Sequence, residues 1–114
     1  IMAIPTGSGT EVLKRETLTV GNGWREILSG NANHIYTVIS LIFTSTVVAD
    51  GNVGLRVNNG SSDIMILQWD GNAIGGFQTF VWNDKFVLEE DDDLDCYNGS
   101  DGSWYVSYID QDWS

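Results

Sequence analysis

The sequence contains few prolines, cysteines and basic residues: one Pro, one Cys, and five Lys or Arg against 16 Asp or Glu in 114 residues. A single cysteine excludes a disulfide within the chain, so the sequence does not report the redox compartment. The net charge of −11 argues against nucleic acid and anionic membrane surfaces, because both attract a basic face. We therefore predict that neither is a partner.

No long uninterrupted apolar run occurs in the sequence. The longest apolar stretch, residues 35–48, is interrupted by Thr and Ser and is too short and too polar to span a bilayer. The first residues show neither the basic region nor the apolar core of a signal peptide, and we predict none. A hydrophobic content of 42% in a chain of this length is typical of one globular domain.

Short runs rich in β-branched and aromatic residues, separated by Gly, Asn and Asp, indicate strands and turns. The clearest strand is residues 34–48, HIYTVISLIFTSTVV. Asn-Gly pairs at 59–60 and 98–99 predict tight turns, which explain them more simply than the glycosylation sequons they also complete. We predict an all-β fold: a single antiparallel β-sandwich, jelly-roll-like, of about eight strands over residues 11–114, after a flexible arm at residues 1–10.

Residues 88–96, LEEDDDLDC, pack six carboxylates into nine positions. An EF-hand loop needs acids at positions 1, 3 and 5, Gly at 6 and Glu at 12. Counted from Asp91, the last two positions hold Cys96 and Gly102, which excludes an EF-hand. We favour a solvated turn entering a strand whose Leu94 and Cys96 face the core. A cation site at Asp91, Asp93 and Asp95 and a catalytic carboxylate pair stay open as weaker alternatives.

Conventional catalytic and cofactor motifs are absent from the sequence. His34 is the only histidine, no G-x-S-x-G motif occurs, and neither a phosphate-binding nor a dinucleotide-binding glycine pattern follows a strand. One cysteine and one histidine make a zinc site improbable. We therefore predict no catalytic residue, no cofactor and no enzymatic activity.

Five tryptophans are many for a chain of this length. They favour packing in the core or at a subunit interface, where aromatic residues are enriched. The alternative is a sugar-binding surface, in which an indole stacks on a sugar and a nearby acid holds its hydroxyls. Trp69 with Asp70 and Trp82 with Asp84 are the candidate pairs for that role.

The order of the β segments resembles that of small β-sandwich virion proteins of tailed bacteriophages, over residues 17–111. The matching residues are Tyr36, Thr37 and Val38; Ile42, Phe43, Thr44, Ser45 and Thr46; Phe86, Val87 and Leu88; Asp93 and Leu94; and Val106, Ser107, Tyr108 and Ile109. The sequence departs from the family pattern where the usual Gly-Asp before the penultimate strand is replaced by Asp92 and Asp93. The resemblance implies a structural turn at this point.

Proteins of this family are head decoration proteins, or parts of tails and fibres, and are not enzymes. The resemblance implies a capsid decoration or head-accessory protein, made in the host cytoplasm and residing in the virion. Its partners would be the major capsid protein or another virion protein, together with further copies of itself. The alternative is a carbohydrate-binding module of a tail or fibre. We expect partner contacts from the arm residues Ile4, Pro5, Thr6 and Gly7, which could add a strand to a sheet edge, and from Trp113.

Overall fold

A computed structural model describes residues 10–20, 23–45, 52–70, 79–99 and 101–113. Within these ranges the chain forms strands and turns and contains no helix, so no helix is available that could cross a membrane. The strands are β1 (Thr10–Val20), β2 (Gly23–Ser29), β3 (His34–Ser45), β4 (Asn52–Asn58), β5 (Asp63–Asp70), β6 (Thr79–Trp82), β7 (Phe86–Leu88), β8 (Asp93–Asn98) and β9 (Gly102–Asp112). The predicted all-β class is confirmed.

The strands form two antiparallel sheets. Sheet A has the order β1-β9-β3-β6, with β7 also paired to β3, and sheet B has the order β2-β8-β4-β5. Strands pair in a nested series, β1 with β9, β2 with β8, β3 with β6 and β7, and β4 with β5. Nested pairing of this kind is the folded-over hairpin of a jelly roll. The predicted antiparallel sandwich is therefore confirmed in its topology.

The strand count of nine follows from one interrupted edge strand. Both β6 and β7 run antiparallel to β3 along the same edge, β6 beside residues 41–44 and β7 beside residues 36–38. Residues 83–85 therefore break the strand without reversing its direction. The Trp82 indole Nε1 donates a hydrogen bond to the Asp84 carbonyl oxygen at 2.9 Å, which spans the break.

The core lies between the sheets and is built by strict alternation. On β9 the inward positions hold Trp104, Val106 and Tyr108, and on β8 they hold Leu94 and Cys96, all buried. The core placement predicted for Leu94 and Cys96 is therefore confirmed. Burial raises the pKa of the Cys96 thiol to about 12, so this cysteine is an inert packing residue.

The two Asn-Gly pairs differ in their surroundings. In the β4–β5 hairpin the Asn59 side-chain Oδ1 accepts backbone N–H groups from Ser61 and Ser62, and Gly60 has φ +92°, which favours glycine. Asn98 is fully buried, and its Oδ1 accepts the Trp104 indole N–H at 3.1 Å. Burial of Asn98 leaves no room for a glycan in the folded chain.

Candidate functional site

The outer surface of sheet A, turned away from sheet B, carries very little charge. Strand register places on it Glu11, Leu13, Arg15, Thr17 and Thr19 of β1; Ser103, Tyr105, Ser107, Ile109 and Gln111 of β9; Ile35, Thr37, Ser40, Ile42 and Thr44 of β3; and Thr79, Val81 and Val87 of β6 and β7. Across the described strands, only Glu11 and Arg15 of this set are charged. We call this surface the neutral face.

Apolar side chains on the neutral face lie side by side across the strands. Tyr105 lies opposite Ile42, and Ile42 lies opposite Val81, which is 50% exposed. Leu13 and Val87, nearer the other end of the sheet, are also exposed, Leu13 to 71%. Contiguous exposed apolar surface of this kind commonly marks a site of contact with another molecule.

The outer surface of sheet B has the opposite character. Register places on it the acids Glu26 of β2, Asp93 and Asp95 of β8 and Asp63 of β5, together with Arg56 of β4. Glu26 of β2 lies beside Asp93 and Asp95 of β8 on neighbouring strands, where like charges repel and need a cation or solvent between them. We call this surface the acidic face, and the molecule is thus polarised in charge from one sheet to the other.

Arg56 organises the acidic face. Its Nε donates to Asp95 Oδ2 at 3.0 Å, and its Cζ lies 4.2 Å from the centroid of the Trp24 ring. A Cβ on Gly54 would lie 3.0 Å from the Trp24 ring, so glycine allows the indole to lie across β4. The Tyr97 ring packs against the same indole at a centroid distance of 5.4 Å. Trp24 is therefore held within the face by its neighbours.

Glu26 is the carboxylate of the acidic face whose pKa is raised by its surroundings. Partial burial, repulsion from Asp93, a side-chain hydrogen bond with Asp93 and repulsion from Asp95 together raise the pKa of the Glu26 carboxyl. Asp93 Oδ1 also accepts the Ser29 hydroxyl at 2.8 Å. The acids of β2 and β8 thus interact directly across the two strands.

The acidic run between β7 and β8 forms a structural turn at residues 89–92. Asp92 Oδ2 accepts the Glu89 backbone N–H at 2.8 Å, and the Asp92 N–H donates to the Glu89 carbonyl at 3.1 Å. The Gly30 N–H donates to the Asp92 carbonyl at 2.7 Å, and a Cβ on Gly30 would collide with the carbonyl oxygens of Glu89, Glu90 and Asp92. The backbone of the turn therefore packs directly against Gly30 in the β2–β3 loop.

The three acids considered for a cation do not converge. Asp93 and Asp95 project from β8 onto the acidic face, and Asp91 lies in the turn. Within the part of the chain that the structure describes, no group of three or more His, Cys, Asp or Glu side chains is arranged to hold a metal ion. The run therefore acts in the structure as a turn and a strand start.

A cluster that the sequence did not predict lies on the inner side of sheet A. Asp110 is buried, and its two oxygens lie 2.7 Å from His34 Nδ1 and 2.8 Å from Lys14 Nζ. The second ring nitrogen of His34 lies 3.6 Å from Asp112 Oδ1. Both imidazole nitrogens of His34 therefore face carboxylates. The cluster links β1, β3 and β9.

One signal could have revealed this cluster. The inward alternation of β9 continues past Tyr108 to Asp110, and a carboxylate at an inward position requires buried partners. Its partners Lys14 and His34 are distant in the sequence, and only strand pairing brings them to it.

The predicted partner-binding residues are only partly described. Ile4, Pro5, Thr6 and Gly7 lie outside the described residues, so the predicted arm stays a prediction; Thr10 already belongs to β1. The Trp113 N–H donates to the Asn33 carbonyl at 2.8 Å, which folds the C-terminal segment back on the β2–β3 loop. The Trp113 indole N–H is buried with no hydrogen-bond partner among the described residues.

Of the two candidate sugar-binding pairs, the structure describes the side chains of one, Trp82 and Asp84. Trp82 packs against the core, and Asp84 is exposed in the break between β6 and β7. The side chains of Trp69 and Asp70 lie outside the described part of the molecule. Among the described residues, Trp24 and Tyr97 form an aromatic pair on the acidic face that local sequence patterns did not indicate.

Comparison of the chain with known proteins finds similar solved structures but no related sequence. Neither a protein-family model nor a curated protein matches the chain. One similar structure is described as Bacillus endospore appendages that form a family of disulfide-linked pili, at 15% identity and TM-score 0.48, covering 100% of this chain and 98% of that chain. Another is infectious bursal disease virus, Gt strain, at 13% identity and TM-score 0.37, covering 96% of this chain and 32% of that chain. At these values neither likeness carries a functional argument.

Proposed function

We propose that the chain is a non-enzymatic structural subunit of a larger particle, and more specifically a capsid decoration or head-accessory protein of a tailed bacteriophage. The observation that carries the proposal is the neutral face. A protein of net charge −11 whose second sheet is acidic has one broad, regular surface on which carboxylates are nearly absent.

The neutral face fits a partner surface better than it fits free solvent. Rows of Ser, Thr, Ile and Val present little side-chain entropy to lose and little charge to desolvate on contact. The acidic face would then point outward, where repulsion between neighbouring subunits limits contact to the intended surface. Jelly rolls recur in viral capsid and lectin domains, which is an analogy at the level of fold alone.

The arm preceding β1 supplies a second element of the proposal. Residues Ile4, Pro5, Thr6 and Gly7 would extend from the start of β1 and add a strand to a sheet edge of the major capsid protein or another virion protein. Deletion of residues 2–9 is expected to lower the occupancy of the particle. Unchanged occupancy would remove the arm from the proposal while leaving the neutral face in it.

The test is immunogold electron microscopy of intact phage particles from the source of this protein, with an antibody against the full chain. Label distributed over the capsid is the expected result. Label confined to the tail would overturn the head location and favour the carbohydrate-binding alternative, which a glycan panel read by tryptophan fluorescence would then examine. Particles without label, alongside abundant free protein, would overturn the virion role.

A further inference from the structure

The two described sheets have four edges, formed by β1, by β6 with β7, by β2 and by β5. Only the β1 edge has a regular, unbroken strand. The β2–β8 register is interrupted between Glu26 and Leu28, the β4–β5 register shifts between Leu55 and Arg56, and β6 and β7 form a broken edge. Bulges and breaks are the usual protection against edge-to-edge pairing. By contrast, β1 runs for 11 residues in uninterrupted register with β9 and contains neither Pro nor Gly.

Three of the four charged side chains of β1 guard this edge little, because they already contact their own molecule. Lys14 Nζ is held by Asp110 at 2.8 Å, the Arg15 guanidinium lies 5.6 Å from the Tyr105 ring centroid, and Glu11 accepts the Gln111 side-chain amide at 2.7 Å. Free lysines at an edge repel an added strand, whereas side chains folded back onto the sheet do so much less. Between them, Val12 and Leu13 are exposed on opposite faces of the strand.

One register at this edge places opposite charges against each other without placing like charges against each other. A two-fold axis perpendicular to the sheet keeps both neutral faces on the same side, so only residues on the same face can lie opposite each other. With the axis at Leu13, each Leu13 lies opposite the Leu13 of the other copy. Glu11 of each copy then lies opposite Arg15 of the other, which gives two opposite-charge pairs. An axis at Lys14, Arg15 or Glu16 would place like charges directly opposite, which is destabilising.

We propose that two copies of this chain pair through β1 in antiparallel orientation about Leu13, joining the two A sheets into one continuous sheet with a shared neutral face. Such pairing satisfies the open backbone groups of β1 and doubles the width of the low-charge surface. The acidic faces lie on the opposite side of the joined sheet. The inference concerns the chain in solution and does not rest on the proposed virion role.

Sedimentation-velocity ultracentrifugation of the full chain tests the dimer, without particles. We expect a concentration-dependent monomer–dimer equilibrium. Glu11→Arg and Arg15→Glu should each weaken it about tenfold or more, since each turns two opposite-charge pairs into two like-charge pairs. The double variant should restore the equilibrium to within about threefold of the original. Monomer throughout, up to about 1 mM, would overturn the pairing, and failure of the double variant to recover would overturn the register.

A cysteine pair distinguishes this register from its neighbours. Leu13→Cys should form an intermolecular disulfide, because Cα atoms of directly opposed antiparallel residues lie about 4.5–5.5 Å apart, within disulfide range. Thr17→Cys, on the same strand and face, is the matched control and should not cross-link. Cys96 is fully buried and does not compete. Cross-linking at position 17 without cross-linking at 13 would contradict the proposal, and thermal melts of both variants establish that they are folded.

Discussion

Lys14 on edge strand β1 and Asp110 on β9 form a salt bridge of 2.8 Å on the inner side of sheet A. Asp110 is almost completely buried, and its other oxygen lies 2.7 Å from His34 Nδ1 on β3. One carboxylate therefore ties together the three longest strands of the molecule. Burial alone would raise the pKa of Asp110, but the hydrogen bonds from Lys14 and His34 outweigh it and hold the pKa below its usual value.

Replacing Asp110 with Asn is expected to lower the free energy of unfolding by about 1–2 kcal/mol near pH 7, because a buried charge-assisted hydrogen bond is lost. A depressed pKa in the folded state gives stability that is complete above the unfolded pKa and is lost as pH falls through the folded pKa. The difference between the native chain and Asp110→Asn should therefore shrink below about pH 4. Urea titrations over a pH series measure it.

The matched control is Asp112→Asn, since Asp112 lies two residues further along β9 and is 44% exposed. Its effect should stay within about 0.5 kcal/mol. Equal effects of the two substitutions at all pH values would contradict the role given to Asp110.

Glu26→Gln should stabilise the protein near neutral pH, in contrast to Asp110→Asn. The pKa of Glu26 is raised in the folded state, so its ionisation costs stability as pH increases through that pKa. Because Glu26 is exposed, solvent screening limits the gain to about 0.5 kcal/mol. Thermal melts near pH 7 and near pH 3 provide the measurement: the gain should disappear at the lower pH, and a gain that persists there would refute the electrostatic cause.

Arg56→Lys should destabilise the acidic face although it preserves the charge. Lysine lacks the planar group that lies over Trp24 while Nε bonds Asp95, so we expect a loss of about 1 kcal/mol. Arg25→Lys is the control, because Arg25 is exposed and bonds only a backbone carbonyl among the contacts described for it. A larger loss at position 25 than at position 56 in denaturant titrations would contradict this account.

Gly30→Ala should cost about 1–3 kcal/mol, because its methyl group would enter the space of three carbonyl oxygens of the acidic turn. The control is Glu90→Gln in the same turn, whose side chain accepts the Asn33 N–H at 3.2 Å from an exposed position. That change should alter stability by at most about 0.5 kcal/mol. Chemical denaturation of both variants shows whether the turn stabilises the fold through its backbone contact with Gly30 or through its charged side chains.

The alternation of residues 93–97 predicted one face of β8, so the inward positions of Leu94 and Cys96 followed directly from the sequence. The charge-poor outer surface of sheet A did not, because it combines residues of β1, β3, β6, β7 and β9 whose pairing is long-range. Trp24 illustrates the same limit. Its position across Gly54 depends on the neighbouring strands of sheet B, and a one-residue shift of register would turn it to the other face.

The proposed function requires the neutral face to be the surface that binds the particle. The most direct measurement is particle occupancy, by co-sedimentation of purified protein with particles lacking it, for the double variant Ile42→Asp with Val81→Asp. Met65→Asp is the matched control, because Met65 is a comparably exposed apolar residue, 45% accessible, on the acidic face. We expect at least about a tenfold loss of binding for the double variant and unchanged binding for the control. Equal binding by both variants, with both folded, would contradict it.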